Sequence, residues 1–147
     1  MNIYFIGIYY KLNNSNAYSI YTYFDLSNIN IFKRTYAKEF IHLLSREFVK
    51  SHDNKEFFTT MEHQHSVYNY KITMMSEDQK YYYIILTNIK SNERVARMVL
   101  CELSKEFKNY NTIKKMPKYI LNDTNIEIEK ILEIVKKYKN EMYDEKI

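Results

Sequence analysis

The sequence predicts a three-layer α/β/α sandwich: a five-stranded, mostly antiparallel sheet with one helix on one face and two on the other. Three observations carry this. Ile3–Tyr10 and Tyr81–Leu86 are apolar on both alternating faces, as strands in the middle of a doubly covered sheet must be. Three other segments repeat apolar residues at helical spacing. The elements run as two strands and a helix, then three strands and two helices. With 147 residues, 46% of them hydrophobic and 16 Tyr and 8 Phe among them, the chain suits one domain over residues 1–147 with one core.

The first strand places Ile3, Phe5 and Tyr9 on one face and Tyr4, Ile6 and Ile8 on the other. Gly7 inside it permits a close helix approach or a bulge. Polar Leu12–Asn16 turns the chain into a second strand, Tyr18–Phe24, as a hairpin. The first helix is expected over about Asn28–Lys50 with Ser27 as its N-cap. Its Phe32, Tyr36, Phe40, Leu43 and Leu44, with Ala37, Ile41 and Phe48, cover an arc of roughly 180°, wider than the ~100° that docks one core face. One edge of this helix therefore has apolar surface to spare.

Polar Ser51–Lys55 leads to strands at Phe57–Glu62, Val67–Met74 and Tyr81–Thr87, the last two separated by a turn at Ser76–Gln79. Two central strands give the order 2-1-5-4-3, with the second and third strands at the edges. Ser91 is the expected cap of a second helix carrying Ala96, Val99, Leu100, Leu103 and Phe107 at i, i+3, i+4, i+7 and i+11. Pro117 interrupts the linker that follows. Thr124 and Glu127 form a capping box before a third helix with Ile128, Ile131, Leu132, Val135 and Tyr138 inward.

The net charge of +4 is modest. The clusters Lys114-Lys115…Lys118 and Lys136-Lys137…Lys139 read as solvated faces, with weak attraction to an anionic membrane as the functional alternative. No nucleic-acid motif accompanies the charge, so nucleic acid is not an expected partner. A single cysteine, Cys101, cannot form a disulfide within the chain and fits a reducing, cytoplasmic setting. No charged-then-apolar leader is read at the N-terminus, and Tyr81–Leu86, the longest near-apolar run, is too short to cross a bilayer.

Catalysis is not expected. His63 and His65 share a strand face near Glu62, but a metal site needs three or four converging ligands. His42, on the polar side of the first helix, and His52, in a loop, have no identifiable partner. Cys101 lacks a recognisable base and reads as a small, partly covered thiol. Glu127, Glu129 and Glu133 read as solvent-facing charges. The expectation is no enzyme, no metal and no cofactor.

Two segments carry a family resemblance. Met1-Asn2-Ile3-Tyr4-Phe5-Ile6-Gly7-Ile8 resembles the opening strand, and Asp25-Leu26-Ser27 through Phe32-Lys33-Arg34 to Phe40 resembles the first-helix segment, of the longin domain that begins prenylated R-SNAREs of the YKT type. Arg94-Val95-Ala96 is similar to the start of that family's second helix. The chain departs from the family at Asn92, where a proline is frequent, at Leu43, where the groove position can be aromatic, and at Ser66-Val67-Tyr68, which keeps only part of a Gly-His-Val-Tyr pattern. The long heptad segment and the prenylation cysteine that follow in such SNAREs are missing from this chain, so a domain cut from a longer protein is expected.

The resemblance implies a regulatory domain of vesicle trafficking and membrane fusion. It would fold back on its own SNARE motif and lipid tail, keep both inactive in the cytoplasm, and help select other SNAREs and trafficking factors. The full-length protein would cycle to Golgi, ER and vesicle membranes through its lipid, while the isolated domain is expected to be monomeric. The candidate groove for the SNARE segment or lipid comprises Phe32, Tyr36, Phe40, Leu43 and Leu44 of the first helix with Phe57 and Thr59 of the third strand. The alternative is a longin-fold subunit of a vesicle coat or tethering complex.

Overall fold

The computed structural model describes residues 3–11, 16–52, 56–64, 69–78 and 80–114, together with 133, 136 and 137. In chain order these form β1 (Ile3–Lys11), β2 (Ala17–Phe24), a 3-10 turn (Ile31–Lys33), α1 (Arg34–Ser51), β3 (Phe58–Gln64), β4 (Asn69–Glu77), β5 (Tyr81–Asn88) and α2 (Glu93–Lys114). The sheet order is β2-β1-β5-β4-β3, with the two doubly apolar strands central as expected, and every pairing is antiparallel.

Each face has its own core. Ile6, Ile8, Tyr83 and Ile85 pack against Val95, Val99, Leu100, Leu103 and Phe107 of α2. Phe5, Tyr9, Tyr82 and Ile84 pack against Ile41 and Val49 of α1. The α2 stripe is the one its spacing predicts, and every member is buried. Most of the expected third helix, its capping box and Pro117 lie outside the described residues; Glu133, Lys136 and Lys137 are helical. Lys137 Nζ donates to Glu102 Oε2 at 3.0 Å, which joins that segment to α2.

Four local expectations are corrected. Ile3 joins Ile6 and Ile8 on the α2 side and Tyr4 packs with Phe5 and Tyr9 on the α1 side, the reverse of their expected faces, because the pairing with β5 slips between Ile3 and Phe5. Ser27 does not cap the first helix. Asp25 Oδ1 accepts from the Ser27 backbone N–H at 3.2 Å and hydroxyl at 2.8 Å, making a local turn. Asn30 Oδ1 then accepts from Phe32 N at 2.9 Å and opens the 3-10 turn, so α1 starts at Arg34.

Ser91 does not cap α2 either. It is buried, its Oγ lies 2.6 Å from Thr87 Oγ1, and its carbonyl accepts from Lys71 Nζ at 3.0 Å. Asn92 Oδ1 is the cap, accepting from Arg94 N at 2.9 Å and Val95 N at 3.4 Å. Finally, β4 runs through Ser76 to Glu77, so the turn into β5 is tighter than expected. Asp78 takes φ 58°, a left-handed conformation that Asp tolerates better than most residues, and Lys80 N donates to Glu77 O at 3.2 Å.

Gly7 has a specific task. Phe5, Gly7 and Tyr9 share one face, and a Cβ at Gly7 would lie 2.5 Å from Phe5 Cζ and 2.9 Å from Tyr9 Cε1. The missing side chain lets these two rings close over the strand beneath α1.

Candidate functional site

The first helix is the element whose surface exceeds what its core contact uses. Only Ile41, Ser45 and Val49 of α1 are buried. Its seat on the sheet is fixed at two places. At the C-terminus, Lys11 is 1% exposed and its Nζ donates to the carbonyls of Val49 (2.8 Å), Lys50 (3.5 Å) and His52 (3.4 Å), meeting the negative end of the helix dipole. The same ammonium lies 5.1 Å from the centre of the Tyr82 ring. Burial pulls its pKa down, but three carbonyls and an aromatic face favour the cation.

The second anchor is His42, which the sequence reading places on the polar side without a partner. Its ring instead meets Phe24 (5.3 Å) and Phe5 (6.2 Å) edge-on, and Nδ1 lies 3.3 Å from the Tyr9 hydroxyl. With the imidazole neutral, Nδ1 accepts from Tyr9, whose own pKa burial pushes up to about 12. Burial, then the charges of Arg46 and Lys38, hold the His42 pKa below its ordinary value. His52 is likewise not partnerless, since its ring meets Tyr82 edge-on at 6.0 Å.

The expected groove residues divide. Phe40, 50% exposed, turns its ring edge to Tyr70 of β4 at 6.3 Å, and Tyr70 stacks on His63 of edge strand β3 at 4.8 Å and 15°. Leu44 and Phe48, one and two turns on, are half-buried against the same core. Thr59 pairs with Met74 and Met61 with Ile72, and both partners belong to the core beneath α1. Thr59 Oγ1 is shielded and has no hydrogen-bond partner. One flank of α1 and the β3 edge therefore face the same side of the sheet, with Tyr70 between them.

The other expected residues lie elsewhere. Leu43, 62% exposed, is on the opposite flank, lining an open hollow of about 350 Å³ with Ala17 and Tyr18 of β2. Phe32 (91% exposed) and Tyr36 (75%) project from the start of the helical segment. Phe57 packs its ring on Phe58 at 4.9 Å, and Phe58 belongs to the α2-side core beneath Arg97. Tyr70, Met61 and His63 also border this side of the sheet, and were not singled out for it from the sequence. The signal for them is strand register, because residues paired across β3 and β4 share a face.

Among the described residues no three His, Cys, Asp or Glu side chains come together as metal ligands. His63 is stacked on Tyr70, and His65 lies outside the described residues. Cys101 is exposed, points its Sγ at Met75 Sδ 3.9 Å away, and has its pKa raised by burial of the thiol. Burial alone would raise the Glu77 carboxyl too, but hydrogen bonds from Lys108 and Ser104 bring it below its ordinary value. That cluster ties β4 to α2. No described helix is long and apolar enough to cross a membrane.

No protein-family model and no curated protein matches this chain.

Proposed function

We propose that this chain is a regulatory binding domain of the longin type from an R-SNARE, not an enzyme. It holds the SNARE segment or lipid tail of the longer protein on the Phe40 flank of α1 and thereby restrains membrane fusion. The observation that carries this reading is the apolar surface of α1 that no described element covers, above all Phe40 beside Tyr70 and the β3 edge. The resemblance of the first strand and first-helix segment to that family supplies the identity of the occupant. On this reading the domain acts as a monomer in the cytoplasm, and the full-length protein cycles among ER, Golgi and vesicle membranes by its lipid.

A charge at Phe40 meets an apolar occupant without a partner. Phe40→Glu should weaken binding of a heptad-repeat SNARE peptide, or of a prenylated peptide, by more than tenfold, about 1.4 kcal/mol. Calorimetric titration measures this, with circular dichroism confirming the fold. Unchanged affinity in a folded Phe40→Glu domain would remove this flank from the site, and no binding of either peptide by the wild type would remove the reading.

A further inference from the structure

The opposite flank of α1 carries a pattern that the proposed groove does not use. Arg34, Lys38, His42, Arg46 and Lys50 recur every fourth residue along the whole helix. Each four-residue step advances about 40° around the helix, so the row winds across about 160° from Arg34 to Lys50, with His42 a neutral member at its middle. Like charges four apart weaken a helix on their own.

The structure places the stripe along edge strand β2. Lys38 Nζ lies 5.4 Å from the centre of the Phe24 ring, and His42 packs on the same ring. Arg46 and Lys50 line the hollow with Asn16, Ala17 and Tyr18 at the other end of β2, where Glu47 also lines it between the two cations. Arg34 is occupied, its Nε donating to Ile29 O at 2.9 Å. Lys38, Arg46 and Lys50 are exposed and form no ion pair among the described residues, although Glu47 lines the same hollow and Glu39 lies on the same helix, so the surface keeps one net positive charge from these five.

Apolar side chains lie in the same surface. Tyr36, Leu43 and Lys50 follow one another at seven-residue steps, which keeps them nearly in line along the helix. Phe32 and Lys33, in the 3-10 turn just before the helix, are also exposed, as is Tyr18 on β2. Exposed aromatics interleaved with unpaired cations, on the outer layer of a sandwich, suit a flat anionic surface with an apolar interior.

We infer that the β2-side flank of α1 docks on an anionic lipid bilayer. Lys38, Arg46 and Lys50 meet headgroup phosphates and carboxylates, and Tyr36, Leu43 and Phe32 enter the interface. An acidic polypeptide is the competing occupant. It satisfies the cations but leaves Phe32, Tyr36 and Leu43 in water, and the shallow hollow gives it no cleft. The bilayer satisfies both sets. This inference rests on cations that the groove reading does not use, although Tyr36 and Leu43 are the helix-surface neighbours of Phe40.

Co-sedimentation of the 147-residue chain with phosphatidylcholine vesicles, with and without phosphatidylserine, tests it at about 0.1 M and about 1 M salt. Binding is expected only with phosphatidylserine and should be lost at the higher salt. Arg46→Glu/Lys50→Glu should lower the partition coefficient at least tenfold. Tyr36→Ser should lower it severalfold while the salt dependence persists. Met98→Glu, on the α2 side of the sheet, should leave it unchanged, which separates this surface from a general effect of added charge. Circular dichroism shows that each variant is folded.

Any one of three results overturns the inference: equal binding to pure phosphatidylcholine, no binding to phosphatidylserine, or full binding by folded Arg46→Glu/Lys50→Glu. Polyglutamate binding that depends on Arg46 and Lys50, without vesicle binding, would assign the surface to an acidic protein.

Discussion

The two helices cover the same sheet from opposite sides and use their apolar residues differently. On α2, the stripe from Val95 to Phe107 is buried, and Met98 is its one exposed large apolar side chain among the described residues. On α1, three residues are buried while Tyr36, Phe40 and Leu43 stand half or more in solvent. Stripe width explains the contrast. A stripe of about 100° matches one sheet face, so α2 is consumed by packing. The wider arc of α1 leaves two flanks that the sheet cannot reach, and polar groups such as Lys11 and His42 help to hold it down. Thus α2 completes the fold, whereas α1 is a packed element and an outer surface at once.

The contrast is most sharply tested by placing one charge on each helix. Leu100→Asp puts an unpaired carboxylate in the α2 core and should cost at least about 4 kcal/mol, enough to unfold the domain. The measurement is loss of cooperative thermal unfolding. Ile41→Ala removes a buried side chain beneath α1 and should cost about 2–4 kcal/mol by urea denaturation.

The anchors of α1 rank next. Lys11→Met keeps the length of the side chain but strips the partner from the Val49, Lys50 and His52 carbonyls. A loss of about 1–3 kcal/mol is expected, with faster amide exchange in the last turn of α1 and little change in α2.

His42 makes the seat pH-sensitive. Its folded pKa is depressed below 6.5, chiefly by burial, so the unfolded chain takes up the proton more readily. Its contribution is therefore complete above pH 6.5 and declines as pH falls below that value, toward the lower folded pKa. Denaturation midpoints across this range should fall for the wild type and flatten for His42→Gln. An equal slope in both would remove His42 as the cause. The smallest effect belongs to the exposed line: Tyr36→Ser should change stability by no more than about 0.5 kcal/mol. A larger loss would mean that α1 is as fully packed as α2.

Much of the fold was legible in the sequence because burial on both faces leaves a plain pattern. Strands 1 and 5 had no polar alternation, which makes them central and settles the sheet order. The α2 stripe was readable residue by residue for the same reason. Caps and faces were harder. Ser27 and Ser91 have the chemistry of caps, but Asp25 and Thr87 engage them first; Asn92 caps α2, whereas Asn30 opens only the 3-10 turn and α1 itself has no side-chain cap. The slip between Ile3 and Phe5 leaves no sequence mark because apolar residues occupy both sides of that strand.

The surplus on α1 was also visible as an overwide arc, but its division into flanks was not. Leu43 and Leu44 are adjacent in sequence and lie on different sides of the helix, a distinction that needs the position of β2 and β4. The fourth-residue basic stripe was present in the sequence all along. It was masked by the abundance of Lys elsewhere in the chain, and only its alignment along β2 sets it apart.

The proposed division of α1 into two working flanks is tested most directly by titrating one heptad-repeat SNARE peptide into Phe40→Glu and Leu43→Glu side by side with the wild type, all three shown to be folded. Phe40→Glu should lose more than tenfold in affinity, about 1.4 kcal/mol, while Leu43→Glu, facing β2, should stay within about threefold of wild type. Equal losses from both, or a loss from Leu43→Glu alone, would contradict the assignment of the groove to the Phe40 flank.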